Sequence, residues 1–335
     1  MNYKLRKSML GILAFSLTSA AFTFTGCGWY AEKKLKEGNE AYKSKDYEAA
    51  FKCFEAAAKT DNAEAQYMLG RCYCYGHGIE KNNTEAVKWF KKAADQDSAK
   101  AFFTLANFYV EGKGDIEKDE DKAESLAEQA GPGLKKEAEG GDAEAQHMLG
   151  ACYLTGLGIA KDSEEGVKWF KKAADKDFAE AQHELGICYM TGQGVEVDMK
   201  EGVKWFSRAA EQGYAEAQAS LAICYSIGSG VKKDEEEGVK WFKKAADQGL
   251  AYAQYQLGLS YALGQGVEQD MKESVKWLKK AAEQDFARAQ YQLGICYSRG
   301  IGVEKDLKEA RKWFKKAAKQ GDAEAKKMIE SFGDD

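Results

Sequence analysis

Along this chain apolar residues recur at i, i+4, i+7 and i+8 in one segment after another, the spacing that gathers side chains on one face of a helix. Ala181, Leu185, Cys188 and Tyr189 show it, and Val203, Phe206 and Ala210 show it again further on. Between the two segments stands Gly192-Gln193-Gly194, and glycine accepts the left-handed backbone that closes a helix. The pattern predicts two antiparallel helices joined by a tight turn. With no alternating or β-branched run anywhere, an all-helical chain is expected.

The pair repeats. Leu69 and Leu105, then Leu149, Leu185, Leu221, Leu257 and Leu293 lie 36 residues apart, with one step of 44 between Leu105 and Leu149. Trp169, Trp205, Trp241, Trp277 and Trp313 keep the same interval, as stacked repeats do. Asp162, Asp198, Asp234, Asp270 and Asp306 each stand three residues before a glutamate, which is capping-box spacing at a helix start. Gly213, Gly249 and Gly321 follow the second helix, with Asp97, Asp177 and Asp285 in the same place elsewhere.

One repeat reads Ala-x-Ala-Gln-x-x-Leu-Gly-x-Cys-Tyr-x-x-Gly-x-Gly-Val, then Asp-x-x-Glu, then Val-Lys-Trp-Phe-Lys-Lys-Ala-Ala. This resembles the Sel-1-like repeat (SLR) family, a longer relative of the tetratricopeptide repeat (TPR). Seven copies are expected: residues 63–98, 99–142, 143–178, 179–214, 215–250, 251–286 and 287–322. Residues 28–62 hold a short tether and a TPR-like helix pair carrying Gly38, Tyr42, Ala50, Phe54 and Ala57, and 323–335 hold a more polar capping helix. The resemblance implies a right-handed α-solenoid of antiparallel helix pairs, the TPR/SLR superhelix, and a function in binding proteins or peptides rather than catalysis.

The second copy departs from the pattern. Leu126 and Ala127 replace the Trp-Phe pair, and residues 131–141, including the only proline, Pro132, are extra. Either the insertion is tolerated, with Leu134 refilling the lost volume, or it is a break that bends the array or projects a contact loop.

Charge narrows the function. The formal net charge is −5, and the only charges in residues 1–27 are Lys4, Arg6 and Lys7, so the remainder stands at −8. That argues against a nucleic-acid partner, which needs clustered basic surface. Residues 1–27 have the layout of an export signal: a basic start, an apolar run from Met9 to Phe24, then small residues and Cys27. Phe24-Thr25-Gly26-Cys27 resembles a lipobox, with Phe24 where that family usually has leucine. The resemblance implies lipid attachment at Cys27 and an exported, membrane-anchored lipoprotein at the outer membrane or periplasmic face. Ordinary signal cleavage, giving a secreted soluble protein, is the alternative.

The remaining chemistry-bearing residues read as structural. Cys72, Cys152, Cys188, Cys224 and Cys296 occupy one equivalent position, where a helix-packing distance of about 8–10 Å is too long for a disulfide. Cys53 with Cys72 or Cys74 is the one junction where a bridge is conceivable. The three histidines have no metal-ligand spacing, and no metal or small-molecule cofactor is expected. Ser229-Gly-Val-Lys232 matches the Ser-x-x-Lys of β-lactamase-like hydrolases but lacks the accompanying motifs. Lys171, Lys172 and their equivalents sit near second-helix C-termini, where they complement the dipole.

In TPR arrays the first helices line the concave face, which implies a partner-binding groove of Tyr67, His147, His183, Tyr255 and Tyr291, with Ile187, Ile223, Leu259 and Ile295 one turn further on. Three functions follow from the sequence and its resemblances: a cell-envelope scaffold or adaptor, a periplasmic immunity protein neutralising a toxic effector, and a β-lactamase-like envelope hydrolase.

Overall fold

A computed structural model describes residues 28–331, and among them every regular element is a helix. Cys27 and the signal-like segment before it lie outside the described residues. The helices are α1 (residues 28–43), α2 (Tyr47–Ala58), α3 (Ala63–Tyr75), α4 (Asn83–Ala94), α5 (Ala99–Glu111), α6 (Glu120–Glu139), α7 (Ala143–Thr155) and α8 (Ser163–Ala174). They continue as α9 (Ala179–Thr191), α10 (Met199–Glu211), α11 (Ala215–Ile227), α12 (Glu235–Asp247), α13 (Ala251–Leu263) and α14 (Met271–Glu283). The last three are α15 (Ala287–Arg299), α16 (Leu307–Lys319) and α17 (Ala323–Ser331). Consecutive helices pack on one another from α2 to α7 and again from α8 to α17, which makes an α-solenoid of helix pairs. The chain forms two compact units, one ending at Asp162 and one starting at Ser163.

The repeated residues do what their chemistry requires. Leu69, Leu149, Leu185, Leu221, Leu257 and Leu293 are fully buried, each worth about 2–3 kcal/mol of burial. Asp198, Asp234, Asp270 and Asp306 accept the third backbone N–H of α10, α12, α14 and α16. The glutamates of the same motif turn forward instead of back: Glu201 pairs with Lys204 at 2.6 Å, and Glu273 with Lys276 at 2.7 Å.

The two glycines of the turn have separate jobs. Gly192 closes α9 at φ 77°. A Cβ on Gly194 would lie 2.1 Å from the Ser163 carbonyl oxygen, because the turn of one repeat rests on the second-helix start of the repeat before it.

A buried glutamine stitches the repeats, in every copy but the second, where Phe102 stands in its place. Gln218 Nε2 donates to the Ala210 carbonyl at 3.1 Å, and its Oε1 accepts from Gln248 at 2.8 Å. Gln254 makes the same pair of bonds with Ala246 and Gln284. A carbonyl at the end of one second helix, which already accepts the backbone N–H three residues on, thereby takes a second bond from the next repeat.

The insertion does not project a contact loop. Residues 131–139 continue α6, which runs to 20 residues against 12 in α4 and 13 in α10. Leu134 is fully buried, as are Ala127 and Ala130. Pro132 faces solvent, so the Glu128 carbonyl that it cannot serve is left to water.

Candidate partner-binding surface

On α11, Glu216, Ser220, Ile223 and Ile227 retain exposure at i, i+4, i+7 and i+11, a single stripe along the helix. The equivalent stripe carries Glu64, Arg71 and Tyr75 on α3 and Glu144, Ala151 and Thr155 on α7. Arg71 Nη1 meets Glu144 Oε1 at 2.5 Å, 73 residues away and past the whole of α5. Helices two repeats apart touch only across the short side of an arc. The first helices therefore form the inner face of that unit.

In the unit ending at Asp162 this face is closed by charge. Glu144 Oε1 also accepts the Tyr67 hydroxyl at 2.8 Å, and its Oε2 lies 3.5 Å from Lys100 Nζ. Lys100, almost fully buried, also donates to Asp142 at 3.0 Å and lies 3.9 Å from both Glu64 and Glu137. Burial opposes the charge on Lys100, but Glu144, Glu64 and Asp142 outweigh it and raise its pKa above the ordinary lysine value. Burial together with Glu144 pushes the Tyr67 phenol well up. Tyr67 is thus beneath the surface and committed to Glu144, and His147 is half-buried.

In the unit from Ser163 the third position of the same stripe is aliphatic in every first helix: Ile187, Ile223, Leu259 and Ile295. Ile187 and Ile223 are half-buried, each packed at the edge of a core cluster, and Ile295 borders the cluster around Phe314. Leu259 is half-buried as well. One turn beyond Ile223 and Leu259, Ile227 is 67% and Leu263 62% exposed. The aromatic row sits one residue round the helix and leans on the second helices and loops. His183 is buried against Phe206 and Tyr214, with Nε2 3.0 Å from Ser220 Oγ, and burial pushes its pKa down to about 4. Tyr255 packs its ring on Phe286 at 5.3 Å and Tyr291 on Phe314 at 5.8 Å, both half-buried.

The recurring lysines of the second helices have a specific task. Lys172 lies 3.4 Å from the centroid of the Trp169 ring, Lys244 3.5 Å from Trp241 and Lys280 3.8 Å from Trp277. The cation covers the indole face that would otherwise meet water. All seven cysteines among the described residues are free thiols, and burial pushes Cys72, Cys152 and Cys188 up to about 12. Ser229 lies in the turn after α11 and donates to Met199 Sδ at 3.6 Å. Among the described residues no group of three or more His, Cys, Asp or Glu is placed to hold a metal, and no helix is long and apolar enough to cross a membrane.

The sequence profile of the Sel1 repeat matches residues 37–62, 63–98, 103–131, 143–178, 179–214, 215–250, 251–286 and 287–322. The chain belongs to the Sel1 repeat family. Its fold is similar to that of a Sel1 repeat protein from Oxalobacter formigenes, with 29% identity, 96% of this chain and 92% of that one covered, and a TM-score of 0.62. It is also similar to c5321, a protective antigen of uropathogenic Escherichia coli displaying an SLR fold, with 32% identity and a TM-score of 0.55. That likeness covers 83% of this chain, which spans 58% of c5321. A comparison with curated proteins returned no match. The Sel1 fold mediates protein–protein interaction.

Two features of this Sel1 protein escape a reading of the repeat alone. One is the row of Ile227 and Leu263, the last residues of their first helices, where large apolar side chains face water. The other is the charged row of Glu64, Lys100 and Glu144, whose alternation of sign at one equivalent position was visible in the sequence.

Proposed function

We propose that this Sel1 repeat protein is a non-catalytic scaffold or adaptor of the cell envelope, tethered to a membrane by lipid on Cys27. It holds a protein or peptide partner against the inner face of its first helices, along Ile187, Ile223, Leu259 and Ile295. The observation that carries the reading is the pair Ile227 and Leu263, 67% and 62% exposed in line with Ile223 and Leu259. Large apolar side chains left in water side by side mark an interaction surface, and the mixture of aliphatic and aromatic groups suits a peptide or a partner helix.

The test is affinity capture from envelope extracts by the mature protein and by an Ile227→Asp/Leu263→Asp variant. Both side chains are exposed, so the fold tolerates the change. A partner held by the wild type and lost by the variant is the expected outcome, whereas an identical captured set rejects the inner face. For the tether, Cys27→Ala is expected to shift the protein from the membrane fraction to the soluble one; continued partitioning with membranes contradicts lipidation.

A further inference from the structure

A cavity of about 380 Å³ opens between α5, α6 and α7, within the range of about 300–1,000 Å³ typical of small-molecule sites. Phe103, Asn107, Val110, Ala123, Ala151 and Glu124 are among its walls. The repeat period explains why it exists. The residues equivalent to Asn107, Val110 and Glu124 are Ile187, Met190 and Val203, which in their own unit pack into one core cluster. In the second copy each is replaced by a smaller or more polar residue, and Ala151 stands where the fifth copy has Ile223. Val110 and Ala151 are truncations, and a hollow left by truncation is destabilising; Asn107 and Glu124 put polar atoms where the fourth copy has aliphatic ones.

The cavity holds two acceptors, Asn107 Oδ1 and the Glu124 carboxylate. Asn107 donates one amide N–H to the Phe103 carbonyl at 3.2 Å, which fixes the side chain, and its Oδ1 is an acceptor. Glu124 accepts from the Gly158 backbone N–H at 3.1 Å through Oε1, and no cation pairs with it among the described residues. Glu120, also in the lining, is paired with Lys118 at 3.0 Å. No lining residue carries a positive charge.

We infer that this cavity binds an alkylammonium group: an aliphatic chain lies against Phe103, Val110, Ala123 and Ala151, and its cationic end meets Glu124 and Asn107 Oδ1. Two sources share that chemistry, the lysine side chain of a partner and a free aliphatic amine. The site lies within the unit ending at Asp162.

The mature protein is titrated calorimetrically with pentylamine, 1,5-diaminopentane, pentan-1-ol and a short peptide with one internal lysine. Saturable binding of the amines is expected, tighter than that of the alcohol. Ala151→Ile, which installs the residue of the fifth copy, is expected to weaken amine binding about tenfold by filling the space, and Glu124→Gln about fivefold by removing the charge-assisted bond. Asn107→Ile, the residue of the fourth copy, repeats the filling test if the first variant unfolds. Tighter binding of the lysine peptide assigns the site to a partner's side chain, and tighter binding of the diamine assigns it to a free amine. Unchanged affinity in the filled variants, equal affinity for the alcohol, or no saturable binding of any amine overturns the inference.

Discussion

Arg71 and Glu144 form an ion pair at 2.5 Å between helices separated by an entire repeat, with side chains only 12% and 13% exposed. Glu144 also serves Tyr67 and Lys100, so one carboxylate gathers three groups from α3 and α5 onto α7. Its removal leaves two nearly buried cations short of a counter-charge.

Glu144→Gln is therefore expected to destabilise the unit ending at Asp162 by about 3 kcal/mol. Lys204→Ala, which breaks an exposed pair with Glu201 at 2.6 Å, is the control and is expected to cost no more than about 0.5 kcal/mol. Urea unfolding of both variants measures the difference; equal effects would show that the buried network is dispensable.

The turn glycines separate two kinds of cost. Gly194 and Gly249 both have positive φ, at 73° and 92°, but a Cβ on Gly194 meets the Ser163 carbonyl at 2.1 Å while one on Gly249 has nothing within 4 Å. Gly249→Ala is expected to cost about 1 kcal/mol for the left-handed backbone alone, and Gly194→Ala about 3 kcal/mol once the displaced neighbouring repeat is included. Thermal unfolding of the two variants ranks them, and a Gly194→Ala no worse than Gly249→Ala contradicts the close packing of adjacent turns.

How much of this was legible in the sequence depends on what sets each feature. The helix pairs, their caps and their turns follow from local chemistry, and Leu185, Asp198 and Gly192 sit where the period puts them. The inner face was harder to read. A step of one residue turns a side chain by about 100°, which separates buried His183 from half-exposed Glu184. A 36-residue period cannot tell such neighbours apart. The closure by Arg71 and Glu144 depends on how tightly the first helices curve, a property of packing between repeats. The sequence left the insertion open between a tolerated one and a break; the helix continues through it because the flanking alanines and lysines are strong helix formers and Pro132 points to water.

Acid should reveal the buried histidine. Burial holds His183 at about 4 against an ordinary value of 6.5, so between those pH values the unfolded chain binds a proton that the folded chain refuses. Stability thus falls as pH drops from 6.5 toward 4, by about 2 kcal/mol for this residue. His77 is shifted the same way, while burial raises Glu64, Glu137 and Glu184 and works in the opposite direction, so the comparison must be with a variant. His183→Ala, which installs the residue of Ala219, is expected to gain about 2 kcal/mol relative to wild type between pH 7 and 4.5. A constant gap across that range refutes the assignment.

Thiol reactivity follows burial. With Cys72, Cys152 and Cys188 pushed up to about 12 and Cys224 to about 11, little thiolate exists at pH 8 in the folded protein. Iodoacetamide should label half-buried Cys53 first and reach these four only after unfolding, as read by mass spectrometry of the peptides. Labelling of native Cys188 as fast as Cys53 would contradict its place in the core.

The inner face of the unit from Ser163 is tested most directly in living cells. A photo-crosslinking amino acid is placed at Ile227, at Leu263 and, as a control, at Lys243 or Lys279 on the second helices. Crosslinks to one and the same protein from positions 227 and 263, absent from 243 and 279, are the expected result. Crosslinks of equal strength from the second helices, or none from 227 and 263 while the protein is folded and abundant, contradict a partner held on the first helices.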